Sequence, residues 1–221
     1  MSYLYEMHCH TSEVSGCGRV EAIEAVKLLK QQNYSGVVIT DHLTPDGLKN
    51  VSVADWKNFI DHFLIGYKLA KQAESADFKV LLGAEIRFPE NDNDYLLYGL
   101  TEEFLYSHAY INRLSLREFR EIADKNNILI MQAHPMRNSM TVMNPDYLDG
   151  YEVYNGNKRH NSRNEVANAW AELNGKIKVS GSDFHQLEDL ARGGLFFANP
   201  IESTQHLVNM LLQGSYKIKS T

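Results

Sequence analysis

Tyr3-Leu4-Tyr5-Glu6-Met7-His8-Cys9-His10 begins as an apolar and aromatic run and ends in two histidines one residue apart. Alternate side chains of a strand share a face, so a strand here turns His8 and His10 to one side and Cys9 to the other. Two neutral imidazoles on one face suit a divalent Zn, Mn or Fe ion. A surface or core histidine pair fits the same pattern, and one His-x-His does not choose between them. The placement of the other histidines and carboxylates does more.

Working outward, apolar runs keep ending in polar groups. Val20, Ile23, Val26 and Leu29 recur at helical spacing, and then Gly36-Val37-Val38-Ile39-Thr40 predicts a buried strand that stops at Asp41-His42. A turn is expected at Pro45-Asp46-Gly47, followed by a long amphipathic helix through Trp56, Phe59, Ile60, Phe63, Leu64 and Tyr67. The third strand, residues 79–84, ends at Glu85; the fourth, residues 95–100, ends at Thr101. After a helix through Leu116, Phe119, Ile122 and Ala123, residues 128–133 deliver His134. A sixth strand, residues 150–154, runs into Asn155, and a seventh, residues 177–180, opens into Gly181-Ser182-Asp183-Phe184-His185. A short strand at Leu195-Phe196-Phe197-Ala198 and a helix burying Leu207, Val208, Met210 and Leu211 close the chain. Alternating strands and helices predict a parallel sheet. Polar groups at the C-terminal ends of so many strands predict a closed barrel, since an open doubly wound sheet gathers its ligand chiefly at one switch point.

The chain has 221 residues, 43% of them hydrophobic, enough for a sizeable core, and residues 1–221 are expected to form one domain. A formal net charge of -6 argues against an extended nucleic-acid surface and leaves small anionic substrates open. No signal segment or membrane-spanning run is evident, and a cytoplasmic location is expected. Two cysteines, Cys9 and Cys17, make no disulfide framework.

His8-Cys9-His10-Thr11, Thr40-Asp41-His42, Gly83-Ala84-Glu85, Ala133-His134-Pro135 and Gly181-Ser182-Asp183-Phe184-His185 together resemble the PHP family, the polymerase and histidinol phosphatase domain superfamily. The motifs occur in the family's order and span almost the whole chain. The resemblance implies a distorted seven-stranded β/α barrel of the TIM-like kind, two to three Zn, Mn or Fe ions at its C-terminal rim, and metal-dependent hydrolysis of phosphoesters. By position it implies a first ion on His8, His10, Glu85 and Asp183, with Glu85 bridging to another. A second ion falls to His42 and His185, with Cys17 nearest to the first-loop ligand of trinuclear members. A third falls to Glu85 and His134. There the family usually adds a histidine after the fourth strand; that place is Thr101, with His108 a few residues on.

The expected reaction is attack on phosphorus by water that bound cations have activated. Asp41 is expected to orient His42, and His185, where metal does not claim it, to protonate the leaving alkoxide. Phosphate recognition calls for cations on the same rim: Arg137, Lys158, Arg159, Arg163 and Arg192, of which Arg192 is the first choice. Each reads equally well as a solvated surface residue. Tyr154 and Asn155 are candidates for the leaving-group pocket, a packed tyrosine being the ordinary alternative. The expected substrate is a phosphomonoester, small nucleotide or phosphodiester. Hydrolysis of C–N or C–O bonds and a noncatalytic metal-binding regulatory module are the alternatives, and oligomeric state is left open.

Overall fold

The computed structural model describes residues 2–44 and 55–221; the turn expected at Pro45-Asp46-Gly47 lies outside them. The first three apolar runs form β1 (Tyr3–Cys9), β2 (Gly36–Ile39) and β3 (Lys79–Arg87), separated by α1 (Ala22–Gln31) and α2 (Trp56–Gln72). Each connection is long enough for a helical crossover, and the three strands pair in parallel. Ala22, Ala25, Val26 and Leu29 are the buried stripe of α1 and pack with Val37, Ile39 and Ala70.

From β3 the chain departs from the all-parallel expectation. Only residues 88–93 separate β3 from β4 (Asp94–Tyr98), too few for a crossover helix. The strand therefore turns back, placing Gly83 opposite Tyr98 and Arg87 opposite Asp94. It is also antiparallel to β5 (Leu129–Gln132), which it reaches through α3 (Glu102–Ser107) and α4 (Leu116–Lys125). A capping box between Ser115 and Glu118 sets the start of α4. Parallel pairing resumes from β5 through β6 (Gly150–Asn155) to β7 (Ile177–Gly181), with α5 (Asn164–Leu173) crossing between the last two.

After β7 come β8 (Gly193–Phe197), α6 (Thr204–Gln213) and β9 (Tyr216–Ser220), a strand that the sequence reading did not include. Both strands are antiparallel additions, β8 on β1 and β9 on β8, giving the order β7-β6-β5-β4-β3-β2-β1-β8-β9. The two sides of this sheet meet. His10 N donates to Phe184 O at 2.9 Å, Phe184 N donates to His8 O at 3.0 Å, and Ser180 Oγ donates to Lys219 O at 2.7 Å. The result is the expected distorted, TIM-like barrel, nearly closed, with two antiparallel strands along its seam. Met7, Leu96, Tyr98, Met131, Val179 and Leu195 share one apolar cluster with Leu207, Val208 and Leu211 of α6. Each such side chain contributes about 1.5–3 kcal/mol on burial. Among the described residues no helix is long and apolar enough to cross a membrane.

Candidate metal centre

The alternation of β1 carries Glu6, His8 and His10 to one face, and all three are fully buried. His8 Nε2 and His10 Nε2 lie 3.0 Å apart. Glu85, at the rim end of β3, reaches four imidazoles: Oε1 is 3.4 Å from His8 Nε2 and 3.2 Å from His134 Nε2, and Oε2 is 3.3 Å from His10 Nε2 and 3.0 Å from His42 Nδ1. Asp183 Oδ1 is 3.5 Å from His8 Nε2 and 3.3 Å from His185 Nδ1. The imidazole rings of His10 and His185 stack with centroids 4.1 Å apart.

Among the described residues three donor groups emerge, each with its ligand atoms within 4.8 Å of one another: His10, His42 and His185; His8, His10 and Glu85; and Glu85, Asp94 and His134. Imidazole nitrogens crowded together need a shared proton or a cation between them, and the mixture of nitrogen and carboxylate donors suits Zn, Mn or Fe. Among the described residues the buried Nδ1 of His134 has no hydrogen-bond partner. The residues present therefore fit divalent ions.

Protonation agrees. Burial, then the neighbouring His185 and His42, push His10 well below the usual histidine range, leaving it neutral. Burial opposes ionisation of Glu85, but His8 and His42 hold it well below the usual carboxylate range. Asp183 is held down likewise, against its burial, by His8 and His185. Ionised carboxylates and neutral imidazoles are the forms that ligate. Exposed at the mouth, Cys17 has its Sγ 3.3 Å from His42 Nε2. Burial raises this thiol, yet hydrogen bonds with His185 and His42 outweigh it and bring it down to about 6.

A model of the PHP domain matches residues 6–202. The chain belongs to the PHP domain family. Among solved structures, PsfC from Pseudomonas syringae superposes on this PHP chain with a TM-score of 0.72 at 13% identity, over 100% of this chain and 92% of the other. A two-domain protein from Bacteroides vulgatus containing a predicted PHP-like metal-dependent phosphoesterase gives 0.71 at 17% identity, over 100% of this chain and 65% of its own. Endonuclease Q, in complex with a 27-mer duplex carrying an abasic lesion, gives 0.64 at 17%, over 99% of this chain and 58% of its own. No curated protein matches the sequence significantly.

In this PHP domain the fourth strand contributes from its beginning rather than its end. Because β4 runs antiparallel to β3 and β5, its final residue points away from the rim where the other strands finish. Thr101 is exposed and caps α3, its Oγ1 accepting from Phe104 N at 3.1 Å. His108 stacks on Phe104 with centroids 4.3 Å apart. Neither joins the cluster; Asp94, at the start of β4, does. The six-residue connection from β3 was the signal available in the sequence.

Supporting carboxylates were also missed. Glu152 Oε1 lies 2.9 Å from His8 Nδ1, and its Oε2 accepts from His134 N and Asn155 Nδ2, each at 2.9 Å. Glu6 accepts from Met7 N at 2.9 Å, His8 N at 3.0 Å and Ser182 N at 2.8 Å, and also from Ser182 Oγ. Burial pushes Glu6 up to about 7 although the Ser182 bonds pull it down. An acid in the middle of an otherwise apolar strand was the visible hint in both cases. Glu152→Gln is expected to weaken ion binding by about 10–100-fold, the range for a partner behind a ligating histidine. Competition with a chelating dye measures this, and an unchanged affinity would mean that His8 needs no such support.

Asp41 acts elsewhere than expected. Its carboxylate accepts from Thr11 N, Thr11 Oγ1 and Ser15 Oγ, each at 2.7 Å. Ser15 Oγ in turn lies 3.1 Å from His10 Nδ1 and accepts from His42 N at 3.1 Å. Asp41 thus bears on the His10 ring through Ser15, whereas His42 Nδ1 faces Glu85.

The five cations separate clearly. Arg137 Nη2 donates to Asp183 Oδ2 at 2.9 Å, Asn155 Oδ1 at 3.1 Å and Ser162 Oγ at 3.3 Å, which puts its fork at the centre. Arg159 pairs with Asp189 at 2.8 Å, Arg163 donates to Met136 O and Asn138 Oδ1, and Lys158 is exposed. Arg192 Nε donates to Glu188 O at 2.5 Å, and the Tyr154 hydroxyl donates to Thr221 O at 2.8 Å. Arg192 and Tyr154 are thus drawn to loop and terminal backbone, so Arg137 replaces Arg192 as the first choice for phosphate.

Proposed function

We propose that this chain is a metal-dependent phosphoesterase acting on a phosphomonoester or a short nucleotide. The observation that carries the reading is the guanidinium of Arg137 bonded at 2.9 Å to Asp183, a carboxylate within the donor cluster. An anion-binding fork beside cation-binding groups is what a phosphate ester requires. His8, His10, Glu85 and Asp183 would hold one ion, and His42, His185 and Cys17 a second. Bound there, divalent ions supply Lewis-acid stabilisation of phosphoryl oxygens and lower the pKa of water.

The protein's own groups do the positioning. Asn155 and Ser162 hold the plane of the Arg137 guanidinium through Nη2. His185 Nδ1 lies 2.9 Å from Asp183 O, which places the proton of the neutral ring on Nδ1 and leaves the lone pair on Nε2 to serve an ion. That favours the ligand role for His185 over proton donation to the leaving group. The formal net charge of -6 favours small substrates over a long duplex such as the one bound by Endonuclease Q. Asp94 adds a donor to the Glu85 and His134 group, so the lack of a histidine at Thr101 no longer argues for a noncatalytic module.

Reconstitution with Mn or Zn followed by a panel of phosphomonoesters, nucleotides and short oligonucleotides tests this. Metal-dependent release of phosphate or nucleotide is the expected result; loaded protein that releases nothing from any of them would refute it. Arg137→Gln is expected to raise KM about 10–100-fold, as for loss of a charged hydrogen bond. An unchanged KM would remove Arg137 from the pocket.

A further inference from the structure

The loop after β6 places Lys158, Arg159, His160 and Arg163 within six residues of a chain whose formal net charge is -6. Its backbone is anchored at both ends to the candidate metal centre. Gly156 N donates to Gly181 O at 2.9 Å, and the buried Asn157 donates through Nδ2 to Asp183 Oδ2 at 3.3 Å while its Oδ1 accepts from Arg159 N at 3.0 Å. At the other end the buried Ser162 accepts from Arg137 Nη2 at 3.3 Å. Between these anchors Lys158, Arg159 and His160 are exposed. Lys158 and His160 follow Asn157 by one and three residues, at most about 11 Å of extended chain. Both are therefore within a small substituent's reach of the phosphate position assigned to Arg137.

Positive charge is in surplus here. The acids that this loop touches are already paired, Asp183 with Arg137 at 2.9 Å and Asp189 with Arg159 at 2.8 Å. Among the described residues the Lys158 ammonium and the His160 ring have no hydrogen-bond or ion-pair partner. His160 registers the surplus: partial burial, then Arg137, hold it below the usual histidine range, Arg159 adds to this, and Asp183 does not reverse it. Arg137 and bound ions suffice for a scissile phosphate and leave an unpaired lysine beside them unused.

We propose that Lys158 and His160 form a second anion subsite, which selects phosphoesters whose leaving group carries a further carboxylate or phosphate. The inference rests on the phosphoesterase reading above and deepens it. Lys158 supplies a full charge and His160 a ring N–H. One short turn matches a single compact anion rather than a polymer with charges spread along it.

The test compares kcat/KM of the Mn- or Zn-loaded protein for propyl phosphate and for the same ester ending in a carboxylate or in a non-hydrolysable phosphonate. The charged leaving groups are expected to be preferred roughly tenfold or more, the worth of one charge-assisted hydrogen bond. A gain with both ends assigns the subsite to anions in general, and a gain with the phosphonate alone assigns it to phosphate. The preference should shrink as salt rises. Lys158→Glu should turn it against the charged leaving groups, His160→Gln should reduce it, and Lys158→Arg should retain it. Equal kcat/KM for the three esters, or a preference unmoved by Lys158→Glu, would overturn the proposal and leave the phosphoesterase reading standing. Loaded protein that turns over none of them would remove both.

Discussion

Glu85→Gln is expected to empty the metal centre and to lower phosphate release by about a thousandfold or more. One carboxylate lies within 3.4 Å of nitrogens on His8, His10, His42 and His134, so its neutralisation is felt in every donor group it adjoins. Lewis-acid stabilisation contributes several kcal/mol to the transition state, and each ~1.4 kcal/mol is tenfold in rate. Metal content by mass spectrometry and turnover should fall together; a variant that kept its ions and its rate would contradict the assignment of Glu85. The same carboxylate gives the metal-free protein an acid limb. Its pKa in the folded state lies well below the ordinary value of 4.5, because His8 and His42 favour the ionised form despite burial. The associated stability is therefore present above pH 4.5 and is lost as pH falls toward the depressed value. Thermal melts in chelator should show this limb in wild type and a shallower one in Glu85→Gln.

Gly193→Ala is expected to cost the fold roughly 3 kcal/mol or more, the upper range for overpacking. A Cβ at Gly193 would overlap the carbonyl carbon and oxygen of Gly181, where β8 crosses the end of β7 at the barrel seam. Neither backbone can retreat. Gly193 N donates to Ser182 Oγ at 3.0 Å and its carbonyl accepts from the Tyr34 hydroxyl at 2.5 Å, while β8 is paired with β1 on one side and β9 on the other. For a chain of this size the midpoint should drop by about 6–12 °C. Gly175→Ala is the comparison: nothing lies within 4 Å of the added carbon, and only the φ of 60° is unfavourable. That costs about 1–2 kcal/mol. Equal melting temperatures for the two variants would mean that the seam yields.

Much of the candidate donor cluster was legible along the chain. His8 and His10 follow from strand alternation, and His42, Glu85, His134, Asp183 and His185 from their places where apolar runs stop, because the ends of successive parallel strands share one rim. The same rule failed at Thr101. It assumes that every strand points the same way, and β4 does not. Arg192, Arg137 and Arg159 were indistinguishable by residue type, and their hydrogen bonds separate them only after the loops have taken their courses.

Residue order by itself determined which side chains stand at the ends of apolar runs and which share a strand face, since both depend on backbone periodicity over a few residues. Tertiary structure decided strand direction at β4, and with it the exchange of Thr101 for Asp94. It also decided which buried acids hold the centre in place: Glu152 meets His8 from 144 residues away, and Glu6 meets Ser182 from 176. Buried carboxylates take whichever donors barrel closure brings to them, and closure joins segments whose separation in the chain carries no local signal.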